Sequence, residues 1–403
     1  MMAVEADANA DLLDRVLLTP AELSAMTSEA VHREVRSPVA SFAPVDYDWG
    51  SPATAGLWRV DVREAADTGP LVYSYFVKLL RHIRLWPGLV TIPTDAVRAE
   101  MVSRYPWQFE LDIYESGIGA VLPDGMRTSA LHLAKPAGDD HIALWWEFIT
   151  QRPGPWQLDD YRRAAHLLGR LAARRRAGAA VNDSLPAIAR DPSTGSALRY
   201  YTQTRVIRGV LPALAEGSLW RHPLLANALH DTSDPGLPAA MLDLAGRLPQ
   251  ILDMLDELPQ THAHGDASPQ NLLLPANEPG TVVVIDWGFG TLLPIGFDLG
   301  QLLVGLAHTG QTDATDLATI DAVIMPGYLE GLAAEGYDAR LGDVRAGYIG
   351  GMAARSALVA LPFELLSSPL VTEDVQALIV QRVRLTRVLV DMAAEIRWAT
   401  DVS

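Results

Sequence analysis

The sequence predicts an α+β fold in which a small sheet-rich lobe precedes a larger, mainly helical lobe. Three observations predict it. Residues 57–62 and 71–80 alternate as strands do, apolar residues from about residue 158 recur every three to four positions, and Pro153, Gly154 and Pro155 cluster between the two patterns. The expected divisions are an N-terminal helical leader over 1–45, a first lobe over 46–152 and a helical lobe over 153–403.

In the leader, Leu12, Leu13, Val16 and Leu17 form one helical stripe that Pro20 closes. The segment Leu57 to Val62 follows, with Trp58, Val60 and Val62 on one side of a strand. The longer run Leu71 to Leu80 sets Val72, Ser74, Phe76 and Lys78 on one face, and Tyr73, Tyr75, Val77 and Leu79 on the other. A lysine on a face shared with apolar residues needs something for its amine to reach, so Lys78 is a candidate functional residue.

Helices are expected over Ala96–Arg104 and Pro106–Glu115, the second with proline in its first turn. A further strand is expected over Ile142–Ile149. Tyr161, Ala164, Leu168 and Leu171 then open the helical lobe, and Leu378, Leu385, Leu389 and Met392 mark its last long helix. Arg174, Arg175 and Arg176 read as the solvated end of a helix, where cations suit the dipole.

Composition excludes several classes. The chain has no cysteine, which removes disulfides, thiolate nucleophiles and Cys-ligated zinc. Its formal charge of −17 disfavours nucleic acid and would steer a cationic small molecule favourably. No apolar run reaches the ~20 residues that cross a bilayer, so no membrane partner is expected. The N-terminus carries Glu5, Asp7, Asp11 and Asp14 rather than a basic patch and an apolar run, and a cytoplasmic location is expected. The sequence says nothing of oligomeric state.

One island interrupts the helical lobe: His262–Asn271, then the apolar run Val282–Ile285, then Asp286. Asp266 stands five positions before Asn271, Gly265 allows a sharp bend before it and Pro269 stiffens the loop between them. A carboxylate closing a buried strand, as Asp286 does, is costly unless it is paired or holds a metal. Phosphoryl transfer explains the pattern, because its catalysis is mainly positioning and charge neutralisation. Asn271 and Asp286 are candidate oxygen ligands for Mg²⁺, with phosphate oxygens and waters completing its octahedron. Asp266 is the candidate base that takes the proton of an acceptor hydroxyl.

These residues resemble the aminoglycoside phosphotransferase and choline kinase group, a small-molecule branch of the protein-kinase fold. The matching motifs are His264-Gly265-Asp266 with Asn271, then Asp286-Trp287-Gly288, then Gly296-Phe297-Asp298-Leu299. The resemblance implies a protein-kinase-like bilobal fold with a small antiparallel-sheet N-lobe, ATP and Mg²⁺ as cofactors, and transfer of the γ-phosphate to a small-molecule hydroxyl. It makes Asp298 a brace for the catalytic loop, while His264 reads as a buried imidazole bonded to backbone.

The resemblance extends upstream to about residue 50. Tyr75-Phe76-Val77-Lys78 looks like the strand whose lysine contacts the nucleotide phosphates. The segment Trp107-Gln108-Phe109-Glu110 is similar to the helix supplying that lysine's partner, with Glu110 favoured and Glu100 the rival. Leu144 to Ile149 resembles the hinge strand, where backbone near Glu147 and Ile149 would meet adenine. The phosphate loop is glycine-poor: Gly50 to Gly56 holds Ser51 but lacks the G-x-G-x-x-G pattern. That departure supports an alternative, a nucleotide-binding pseudokinase with a regulatory role; against it, the polar residues needed for chemistry are all present. The acceptor class left open is an aminoglycoside-like molecule or an amino-alcohol or sugar metabolite.

Overall fold

The computed structural model of the chain describes residues 11–45, 51–64, 70–92, 94–190, 195–366 and 371–396. The described residues form two compact units. One is an antiparallel-sheet unit, running to Asp112 and including Thr128–Gln151. The other is mainly helical and comprises Ile113–Arg127 and the chain from Arg152. The α+β class expected from the sequence is the class observed.

The first unit is built on a five-stranded sheet. Its strands are β1 (Pro38–Pro44), β2 (Thr54–Glu64), β3 (Leu71–Arg81), β5 (Leu131–Pro136) and β6 (His141–Glu147), in the order β1-β2-β3-β6-β5, every neighbour antiparallel. A short strand, β4 (Met126–Thr128), precedes β5. The alternation of the sequence survives in three dimensions: Trp58, Val60, Val62, Tyr75, Val77, Leu79 and Trp145 form one buried cluster. Trp145 meets the rings of Phe42 and Tyr75 edge-on, at 6.0 and 5.5 Å between centroids.

Of the helical leader expected over residues 1–45, the described part, 11–45, is only partly helical. Residues 11–16 are helical and α1 spans Pro20–Ala30, but Pro38–Pro44 is the edge strand β1. Val16, Leu23 and Met26 are buried in the same cluster as the sheet's inner face, so this segment is part of the core. Two prolines bracket β1, which an edge strand tolerates because its outer N–H groups have no ladder to serve.

Two helices follow β3: α2 (Asp95–Arg104) and α3 (Phe109–Glu115). The second begins three residues after Pro106, whose carbonyl accepts the N–H of Phe109 in a turn.

In the second unit α4 (Leu158–Arg174) buries Tyr161, Ala164, Leu168 and Leu171, the stripe read from the sequence. It packs on α7 (Leu317–Ala334) so closely that a Cβ on Gly331 would lie 2.0 Å from the His166 carbonyl oxygen. By length and composition alone residues 314–334 could cross a membrane, although no such run was expected from the sequence. Their close packing on α4 explains that apolarity as a core face. Further helices of this unit are α5 (Leu237–Glu257), α6 (Phe297–His308), α8 (Leu341–Met352) and α9 (Glu373–Glu395).

Four short strands interrupt these helices: β7 (Gln260–Ala263), β8 (Leu272–Leu273), β9 (Val282–Val284) and β10 (Thr291–Pro294). β7 pairs with β10 and β8 with β9, both antiparallel, with Ala263 opposite Thr291 and Leu272 opposite Val284. That register brings the loop 264–271 and the loop 285–290 out side by side.

Candidate active site

The two loops are knitted together by His264. Its ring is fully buried; Nδ1 accepts the Asp266 backbone N–H at 3.2 Å and Nε2 lies 2.9 Å from the Ile285 carbonyl. An acceptor at Nδ1 and a carbonyl facing Nε2 require the neutral tautomer with its proton on Nε2. One imidazole therefore links the backbone of Asp266 to the residue before Asp286. The Asn271 carbonyl accepts the Ile285 N–H at 3.0 Å, which closes the link from the other side.

Within loop 264–271, Asn271 Nδ2 donates to the Asp266 carbonyl at 2.9 Å and to Asp266 Oδ2 at 3.3 Å. Gly265 has φ +79, and a Cβ there would lie 2.3 Å from the Phe289 carbonyl oxygen, so only glycine lets the loops approach this closely. Asp286 itself holds φ 58 and ψ 66, a left-handed conformation that Asp tolerates better than most residues.

Asp298, in the first turn of α6, accepts the backbone N–H groups of His264 at 3.0 Å and Gly265 at 2.8 Å. It braces the loop as the resemblance implied. Burial pushes its carboxyl above the usual range, while the two backbone N–H bonds it accepts pull it back. The other end of the loop rests on the same helix, where Gln270 Nε2 donates to the Gly305 carbonyl at 2.9 Å.

Arg175 corrects the reading of the arginine run as a solvated helix end. Its side chain is 1% exposed, its carbonyl accepts the His262 N–H at 2.9 Å, and its guanidinium lies 5.7 Å from the Trp287 ring centroid. Its Nη1 and Nη2 have no hydrogen-bond partner among the described residues, and burial pushes it down to about 10, countered by Asp298. Arg174 is bonded to the Leu122 carbonyl at 2.9 Å and paired with Glu335.

Arg355 was missed entirely. Its Nη2 donates to Asp266 Oδ1 at 2.8 Å. No motif carries it, yet it is the one charged residue between Arg345 and Glu364 in a run rich in glycine, alanine and aliphatic side chains. A lone arginine in such a run was the available signal.

In the sheet unit, Lys78 Nζ donates to Glu110 Oε2 at 2.6 Å, with side chains 11% and 12% exposed. Glu100, the rival, instead pairs with Arg104 on the surface. Glu147 closes β6, where its N–H bonds the Ala130 carbonyl at 2.8 Å and its carbonyl accepts from Ser129 Oγ at 3.0 Å. Ile149 lies just beyond the strand, half-buried. Ser51 gives its carbonyl to the Thr54 N–H in a turn leading into β2; Gly50, first residue of the expected phosphate loop, lies outside the described residues.

Among the described residues no cluster of three or more His, Asp or Glu could hold a metal by itself. Asn271 and Asp286 nevertheless suit Mg²⁺ as a donor set. Both offer hard oxygen atoms, and the bond between the Asn271 carbonyl and the Ile285 N–H ties their backbones together. Mg²⁺ commonly takes only one or two protein ligands beside phosphate oxygens and water.

Comparison with known proteins bears on this arrangement. Residues 132–335, half of the chain, match the model of a family described as phosphotransferase enzyme family. No curated protein matches the chain. Solved structures similar to it include a spectinomycin phosphotransferase in its AMP-bound complex, with TM-score 0.45 and 12% identity over 94% of this chain and 100% of that one. Another is an aminoglycoside phosphotransferase from Alicyclobacillus acidocaldarius, with TM-score 0.44 and 13% identity over 88% and 98%. Choline kinase from Cryptosporidium parvum matches with TM-score 0.42 and 9% identity over 88% of each chain.

Proposed function

Because the chain belongs to the phosphotransferase enzyme family, we propose that it moves the γ-phosphoryl group of ATP onto a hydroxyl of a small molecule. The observation that carries this reading is the single hydrogen-bonded unit of His264, Asp266, Asn271 and Ile285-Asp286. It puts one candidate base and two candidate metal ligands on two loops fixed against each other.

In the reaction the acceptor oxygen attacks the γ-phosphorus in line, its bond to phosphorus forms, and the bond to the ADP oxygen breaks. The hydroxyl proton passes to the Asp266 carboxylate and from there to water. Asn271 holds the backbone of Asp266 through its side-chain amide N–H, and its amide oxygen together with the Asp286 carboxylate would hold Mg²⁺. When bound there, Mg²⁺ would neutralise charge on the phosphate oxygens. Lys78, kept in place by Glu110, meets the nucleotide phosphates; the strand end at Glu147 and Ile149 meets adenine, and Ser51 lies in the loop over the phosphates. The charge of −17 favours a cationic acceptor, such as an aminoglycoside-like molecule or an amino-alcohol.

The test is ADP release from Mg·ATP in the presence of amino-sugars, amino-alcohols and nucleosides, with spectinomycin, streptomycin, choline and ethanolamine among the probes. The wild-type protein should turn over at least one of them. Asp266→Ala should lower turnover by about 10²–10⁴-fold with ATP affinity nearly unchanged. Stabilisation by ATP without ADP release for any acceptor would replace this reading by the regulatory pseudokinase.

A further inference from the structure

The Asp266 carboxylate is held at both oxygens. Asn271 Nδ2 donates to Oδ2, and Arg355 Nη2 donates to Oδ1 from 89 residues away in sequence. The first contact belongs to the loop's own geometry. The second has no counterpart in the loop and demands an explanation, because burying an arginine beside a reaction's base is not needed to fold the loop.

Arg355 is built in rather than draped over the site. Its side chain is 12% exposed, against 25% for Asp266. The guanidinium lies 4.8 Å from the Phe289 ring centroid and 5.8 Å from that of Tyr201, between two aromatic neighbours. The residues on either side of it are tied as well. Thr202 Oγ1 donates to the Ala354 carbonyl at 3.2 Å, and Gln301 Nε2 donates to Ser356 Oγ at 3.0 Å. The backbone here departs from α-helical geometry: α8 runs into a π-helical turn, Ala353–Ala357, with Arg355 at its centre. Such turns cost regular hydrogen bonding and are found most often at functional positions.

We infer that Arg355 is a positioning residue for phosphoryl transfer, fixing the plane of the Asp266 carboxylate so that a free lone pair faces the acceptor hydroxyl. The physical reason is that a carboxylate turns readily about its last torsion, which has broad minima. One donor, Asn271, leaves it a swinging group. Two donors on opposite oxygens leave one orientation, and each oxygen retains a lone pair for the incoming hydroxyl. An arginine suits this better than a lysine, since its planar fork can stack on Phe289 while one N–H points at the carboxylate. Displacing a reacting group by as little as an ångström costs about 10²-fold in rate, so the orientation is worth a buried cation.

This inference rests on the phosphotransferase reading, and the experiment separates the two. Steady-state kinetics would be measured for wild type, Arg355→Ala, Arg355→Lys and Phe289→Leu, using Mg·ATP and the acceptor from the panel above that wild type turns over fastest. Arg355→Ala should lower kcat by about 10–100-fold with the KM for ATP unchanged within about twofold. Guanidinium chloride, added below its unfolding range, should restore part of that loss. Arg355→Lys should fall between, and Phe289→Leu should lower kcat while leaving thermal stability close to wild type. Unaltered kcat in a folded Arg355→Ala protein overturns the inference, as does a loss explained by unfolding in both Arg355 variants and absent from Phe289→Leu. A wild-type protein inactive with every acceptor defeats the phosphotransferase reading itself and the inference with it.

Discussion

Lys78 and Glu110 form an ion pair of 2.6 Å with side chains 11% and 12% exposed, joining β3 to α3. At that burial a pair is worth little for stability on its own account, but removing one partner strands the other charge out of water. Glu110→Ala should destabilise the protein by about 3 kcal/mol. In a cycle with Lys78→Met the pair should show a coupling of about 1–3 kcal/mol. Urea denaturation of the four proteins measures it; strictly additive single effects would deny the pair any role.

Asp286 lies in the left-handed region, at φ 58. Asn tolerates that conformation and Ala resists it by about 1–2 kcal/mol. Asp286→Asn should therefore unfold close to wild type while Asp286→Ala unfolds earlier. If Asp286 ligates Mg²⁺, both variants should lose the magnesium-dependent part of the thermal shift produced by ATP. A shift preserved in Asp286→Asn would take the metal away from this residue.

Asp298 accepts two buried N–H groups, those of His264 and Gly265. Asp298→Ala leaves both unpaired, at about 1–3 kcal/mol each. The expected outcome is a loss of about 2–5 kcal/mol together with reduced turnover, because the loop carrying Asp266 loses its anchor. Calorimetry and ADP release measure the two; a full-strength enzyme with unaltered unfolding would dismiss the brace.

His308 ends α6, where burial first and the Arg382 guanidinium second push its imidazole from 6.5 down to about 4. Between those values the unfolded chain binds a proton that the folded chain does not, so stability falls as pH drops from 6.5 to 4. The loss should amount to about 1–3 kcal/mol, and His308→Gln should flatten that limb of the stability curve. Parallel curves for the two proteins below pH 6.5 would place the acid sensitivity elsewhere.

Much of the fold and of the loop at Asp266 was legible in the amino-acid order. Alternation over 57–62 and 71–80 and the period of three to four after 158 became β2, β3 and α4 because burial of one face is a local, periodic property. Asp266 and Asn271 meet because five residues of turn bring them together, and Gly265 because its backbone angle is its own. Prolines at 38 and 44 hid β1, since an edge strand can carry them and a sequence pattern argues against them.

Pairing between distant segments was decided by tertiary packing. The sequence favoured Glu110 over its rival Glu100 as partner of Lys78, and the packing of α3 brings Glu110 to Lys78 while Glu100 pairs with Arg104. It read Arg175 as solvated, whereas the packing of β7 and Trp287 buried it. It held no sign that Arg355 would reach Asp266. Short-range geometry is written into neighbouring residues, but which cation meets which carboxylate across 89 positions depends on how helices and strands fill space together.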